Sequence, residues 1–233
     1  MSQTLNTSEP AGPESPDIES AQPNSRRRNI WTLVFSLIAL WFINHSLPVY
    51  LSLDPNQARI PHLRRDIPWH YPLLVAHVFS GTVALVTVCL QVWPWLRRNH
   101  PAVHRWSGRI YVFAGALPSG LLALAIMPFS AGPAGNTVAA VAWLATTVAG
   151  LRTARQRRYR EHRRWMAYSF ALTMQIIWGR VLLIYVLPLF EYNFADPAKL
   201  NLALETATWI GFVINLLLAQ WWLERTARDT TRR

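Results

Sequence analysis

The chain has 233 residues, 52% of them hydrophobic, with 12 Trp and a formal net charge of +11. A soluble basic protein of this size would not carry repeated apolar runs of about 20 residues, each long enough to cross a hydrocarbon core of roughly 30 Å. The charge first suggests a nucleic-acid partner, but its placement along the chain speaks for membrane topology instead.

Residues 1–29 are polar, rich in Ser and Pro, and acidic before Arg26, Arg27 and Arg28. Such a segment cannot bury a core and is expected to be a disordered tail. It has no apolar h-region, so a cleaved signal peptide is not expected. A domain of six transmembrane spans is then expected over residues 30–224, followed by a short tail, 225–233. The spans fall at about 30–50, 71–95, 106–128, 134–152, 166–190 and 205–223. The fold class is therefore all-α, an integral membrane helical bundle, because only internal pairing satisfies a backbone in lipid.

If the first tail is cytoplasmic, eighteen arginines fall on the inner side: 26–28, 97, 98, 105, 109, seven between 152 and 164, and four after Glu224. Outside lie only Arg59, Arg64, Arg65 and Lys199. That asymmetry predicts a bacterial cytoplasmic membrane protein with both termini in the cytoplasm, its basic loops also attracted to anionic headgroups. The external loop 51–70 ends in Trp69, His70 and Tyr71, as suits an interfacial belt. The Gly/Pro turn at 129–134 makes spans three and four antiparallel neighbours. Pro101 suits the first position of a helix, where its missing N–H costs nothing. Cys89 is the single cysteine and lies in span two, so no intramolecular disulfide can form.

Two inner segments share a pattern: "NHPAVHRWSGRIY" at 99–111 and "REHRRWMAYSF" at 160–170. Aligned on His104 and His162, they suggest a degenerate repeat. The ordered set "LLVAHVFSGTVAL", Gln91, "HPAVHRWSGRIY", "HRRWMAYSFAL" and Arg180 resembles DUF2306, a family of predicted bacterial membrane proteins, over residues 71 to about 185. Members typically show HRxWMxRSxAL, and Tyr168 stands where that second arginine would be. The resemblance implies a multi-span protein and names no substrate.

Helical phase adds detail at 100° per residue. His77, Gly81, Ala84, Val88 and Gln91 fall near one line on span two, and His162, Ser169, Thr173 and Arg180 on another line of span five. A narrow polar line in a membrane helix is expected to face the bundle interior. By position, Arg180 is expected close to midplane, His45 and His77 near the outer boundary, and His104 and His162 at the inner one. The carboxylates are expected outside the spans, which argues against a proton pump built on intramembrane acids.

Two histidine pairs at two depths suit an electron conduit with two b-type haems. Each haem would take two axial imidazoles, with room for the macrocycle left by Gly81 and Ala84, and Arg105, Arg163 and Arg180 holding propionates. The layout is similar to membrane b-cytochromes by architectural analogy. A quinone or redox partner would follow. Other readings stand beside it: His104 and His162 as interfacial hydrogen-bonding residues, His77 bonded to a neighbouring helix, and His45 as a lone polar residue. An anion transporter using Arg180 and a non-catalytic scaffold are the competing functions. No phosphate loop, HExxH or activated nucleophile is present. Oligomeric state is not legible.

Overall fold

A computed structural model of the chain describes residues 25–58, 63–130, 132–181, 185–190 and 196–231. Helix α1 runs Ser25–Ser46 and is followed by the single turn α2, Pro48–Leu51. Helix α3 is His70–Val92, α4 is Pro94–Asn99 and α5 is Pro101–Ile110. A π-helical stretch, Tyr111–Ala116, joins α5 to α6, Leu117–Ile126, within one continuous rod. Helices α7 (Pro133–Arg155), α8 (Tyr159–Val181) and α9 (Pro197–Thr231) complete the bundle.

Four of these, His70–Val92, Pro101–Phe129, Pro133–Arg155 and Pro197–Arg228, are long and apolar enough to cross a membrane. In α1 the apolar part, Ile30–Ser46, is shorter, and α8 is diluted by the arginines of its first turns. Leu40, Leu121 and Leu217 are each more than 60% exposed on the outside of the bundle. A soluble monomer does not show apolar surface on this scale.

Prolines punctuate the chain as their missing N–H dictates. Pro94, Pro101 and Pro133 each start a helix, where that donor would be unpaired anyway. Gly132, at φ 64°, turns the chain before α7, and a Cβ there would meet the Glu205 backbone nitrogen at 3.0 Å. Helix α3 packs on α1, on α6 and on the π stretch; α7 packs on α6, α8 and α9. The core joins Phe42, Leu85, Val88, Tyr111, Val112, Met174 and Ile177 from α1, α3, the π stretch and α8. Phe35 of α1 meets Phe170 of α8 edge-on at 5.3 Å, and further along the chain from each, Trp41 meets Tyr185 at 5.8 Å, so the chain runs the same way in α1 and α8.

Several boundaries differ from the sequence reading. The expected 1–29 tail lies largely outside the described residues, and the chain is already helical from Ser25. The C-terminal tail is helical as well, since α9 continues to Thr231. Helix α8 starts seven residues before the expected 166, because a run of arginines is no obstacle to a helix whose end reaches water. His70, expected in a loop, opens α3 and is buried, with its Nδ1 accepting from the Arg64 backbone N–H at 3.1 Å. His62 lies outside the described residues.

Candidate functional site

His77 sits between α3 and α6. Its Nδ1 lies 2.9 Å from the Ser119 carbonyl oxygen, which can only accept, so the proton is on Nδ1 and Nε2 is bare in the neutral ring. The Ser119 hydroxyl in turn donates to the His77 carbonyl at 3.3 Å. His162 is held the same way: Nδ1–H donates to the Gly150 carbonyl of α7 at 2.8 Å. Both bonds are also what the plainer reading of these residues, bonding to neighbouring helices, expects.

His104 differs. Its Nδ1 is buried and has no hydrogen-bond partner among the described residues. Its backbone is fixed by Gln91, whose Nε2 donates to the His104 carbonyl at 2.8 Å and to Ser107 Oγ at 2.6 Å. Arg97, His162 and Arg105 all lie close enough to His104 for their charges to act on it, and Arg97 acts likewise on Arg163. None of Arg97, Arg105 and Arg163 has a carboxylate partner among the described residues, whose ion pairs are Arg64–Asp66, Arg158–Glu161 and Arg228–Glu224. The helices carrying the two histidines, α5 and α8, are not a closely packed pair. The result is a basic, histidine-containing cluster at one end of the bundle, with its like charges uncompensated. Arg97 was not singled out from the sequence; its place on the short α4 next to α5 supplies the proximity.

The other candidates fall elsewhere. His45, in the last turn of α1, stacks on Trp41 at 5.9 Å and 13°. Gly81 and Ala84 leave no slot for a macrocycle. A Cβ on Gly81 would lie 3.2 Å from Ser119 Oγ, and one on Gly115 would lie 2.8 Å from the Ala84 Cα. The small residues serve close helix packing. Arg163 stacks over Trp222 of α9 at 4.8 Å. Arg180 lies in α8 near Tyr50 of α2, and its neighbour Val181 packs against the central core that holds Phe42 and Ala84. Among the described residues no group of three or more His, Cys, Asp or Glu converges to hold a metal ion.

A second polar centre was missed by the sequence reading. Tyr111 is fully buried, and its hydroxyl lies 2.6 Å from Ser169 Oγ, 2.9 Å from Thr173 Oγ1 and 3.1 Å from the donating Trp143 Nε1. Thr147 Oγ1 reaches Ser169 Oγ at 2.7 Å. This network ties the π stretch to α7 and α8. The π stretch itself matters here, since such bulges often mark functional or strained positions. Glu205 was also missed. It lies within the span Pro197–Arg228, where no carboxylate was expected, and accepts from the Gly135 N–H at the start of α7 at 2.5 Å. A carboxylate suits that helix end, whose first N–H groups are unpaired and carry partial positive charge.

Fold and exposed surface together define a helical integral membrane protein. The chain matches the family described as "Predicted membrane protein (DUF2306)" over residues 74–223, and it belongs to that family. That span takes in all of the helices from most of α3 to the inner part of α9. No curated protein and no solved structure matches the chain.

Proposed function

We propose that this is a multi-pass protein of a bacterial cytoplasmic membrane, with both ends in the cytoplasm, that binds haem b between His104 and His162 for electron transfer. The orientation is supported by eighteen arginines against four basic residues on the opposite side. The observation that carries the haem reading is His162, whose Nδ1–H is committed to the Gly150 carbonyl while Nε2 is left bare. Metal-bound histidines are characteristically oriented by such a bond. His104, in the first turn of α5, keeps a buried Nδ1 with no hydrogen-bond partner among the described residues.

Bound haem b supplies a one-electron couple. Arg97 and Arg105 are the side chains that would hold its propionates, and those carboxylates would provide the negative charge the cluster lacks. Arg163, whose guanidinium stacks over Trp222 and keeps its in-plane donors, is a third candidate for that role. The reading is confined to this end of the bundle, because His45 stacks on Trp41, His77 bonds to Ser119, and the space at Gly81 and Ala84 is filled. A membrane quinone or a redox protein would be the electron partner.

Protein purified from haem-replete cells tests the reading: a Soret band and α/β bands on reduction are expected, and His162→Ala should remove them while the fold persists. A well-folded wild type without Soret absorption would overturn it. A second reading is a binder or carrier of a small anion that uses this basic cluster or Arg180. That reading predicts anion binding with no visible absorption.

A further inference from the structure

Residues 221–225 of α9 read WWLER and reach the end of the bundle that carries the arginine-rich segment 152–164. Trp221 and Trp222 are 57% and 44% exposed. Each indole carries a guanidinium: Arg225 from the same helix over Trp221 at 5.4 Å, and Arg163 from α8 over Trp222 at 4.8 Å. Stacking uses the flat face of a guanidinium and leaves its in-plane N–H donors available. Neither arginine has a carboxylate partner among the described residues. Glu224, the nearest acid in sequence, is engaged by Gln220 Nε2 at 2.5 Å and by Arg228 at 3.9 Å. Glu161 on α8 is engaged by Arg158.

The two helices are pinned beside this edge by the Tyr168 hydroxyl donating to Gln220 Oε1, so the two guanidinium plates sit on a fixed frame. One turn further into the span, Leu217 and Leu218 are 63% and 51% exposed, so apolar surface continues directly from the indoles. Basic groups over aromatic rings, adjoining exposed apolar helix, match the layered chemistry of a lipid head group above its acyl chains. An acidic soluble partner would need no such apolar continuation.

We propose that the α8–α9 edge at this end binds an anionic phospholipid, with Arg163 and Arg225 taking the phosphate and Trp221 and Trp222 packing beneath it. The site uses a face of α8 other than the one that places His162 against Gly150, and it stands whether or not haem is bound.

Thermal melting in mild detergent tests this, with phosphatidylglycerol, cardiolipin, phosphatidylcholine or inorganic phosphate added at matched concentration. The two anionic lipids are expected to raise the melting temperature, and the other two to leave it unchanged. The R163Q/R225Q double variant is expected to lose that rise, and Arg64→Gln at the opposite end to keep it. An equal response to phosphatidylcholine, a rise reproduced by phosphate alone, or full selectivity in the double variant would each overturn the site. Native mass spectrometry of the wild type gives a reading that needs no variant. Phosphatidylglycerol should stay bound at collision energies that strip phosphatidylcholine, and identical stripping would also refute the proposal.

Discussion

Replacing Tyr111 with Phe removes one oxygen from a fully buried side chain and disturbs nothing else in its shape. The consequences follow from which way the protons point. The Thr173 hydroxyl donates to the Ser169 carbonyl at 2.8 Å, so it must accept from Tyr111. Tyr111 then has its own lone pairs for Trp143 Nε1 at 3.1 Å and the Ser169 hydroxyl at 2.6 Å. Three bonds between helices are lost in the variant. Interhelical hydrogen bonds in membrane proteins are worth about 0.6 kcal/mol on average, which gives about 2 kcal/mol for three. The Trp143 N–H is left without an acceptor, which costs about 1–3 kcal/mol in place of that bond's share, so the total is expected at about 2–4 kcal/mol. Reversible unfolding of purified Tyr111→Phe against wild type, in mixed micelles, measures it. A loss below about 0.5 kcal/mol, the range of an ordinary surface change, would refute the idea that this hydroxyl holds the helices together. Tyr71→Phe is the matching control: its hydroxyl is buried with no partner among the described residues, so its removal should be neutral or mildly stabilising.

Gly115→Ala should destabilise by about 1–3 kcal/mol, because the new Cβ meets backbone of Ala84 at 2.8 Å. Gly150→Ala should cost less, since its clash at 2.5 Å is with the flexible Met166 Sδ; the reverse order in a melting comparison would contradict the packing account. Arg64 beside Asp66 holds that carboxyl down at about 2, so the contact should persist until pH falls through about 2, below the unfolded value of about 3.9. An NMR titration of Asp66 near its ordinary value would contradict this; because the pair is exposed, Asp66→Asn should leave the melting temperature unchanged. Reporter fusions after residues 98, 158 or 230 should report cytoplasm and after 60 or 195 the opposite side, and a cytoplasmic signal at 60 would reverse the orientation.

The sequence was most informative where one helix decides the outcome. Apolar length marked the spans, prolines marked helix starts, and phase correctly turned Ser169 and Thr173 inward, where Tyr111 meets them. It was least informative where two helices must meet. His45 and His77 share a depth by residue counting, yet depth says nothing about azimuth, and their rings face Trp41 and Ser119. Gly81 and Ala84 read as empty space because a sequence does not show which neighbour fills a gap; here Ser119 and Gly115 do. The start of α8 was placed late, since the arginines before 166 were counted as loop although they form its first turns. The Tyr111 network had no local signal at all. Its five members come from three parts of the chain, and a π turn leaves no periodicity of its own.

The central claim is one haem held by His104 and His162, and its most direct test is the haem-to-chain ratio of purified protein and four single variants. The account predicts one haem per chain in the wild type, His45→Ala and His77→Ala, and none in folded His104→Ala and His162→Ala. Haem retained in His162→Ala, two haems per chain, or none in a folded wild type from haem-replete cells would contradict it.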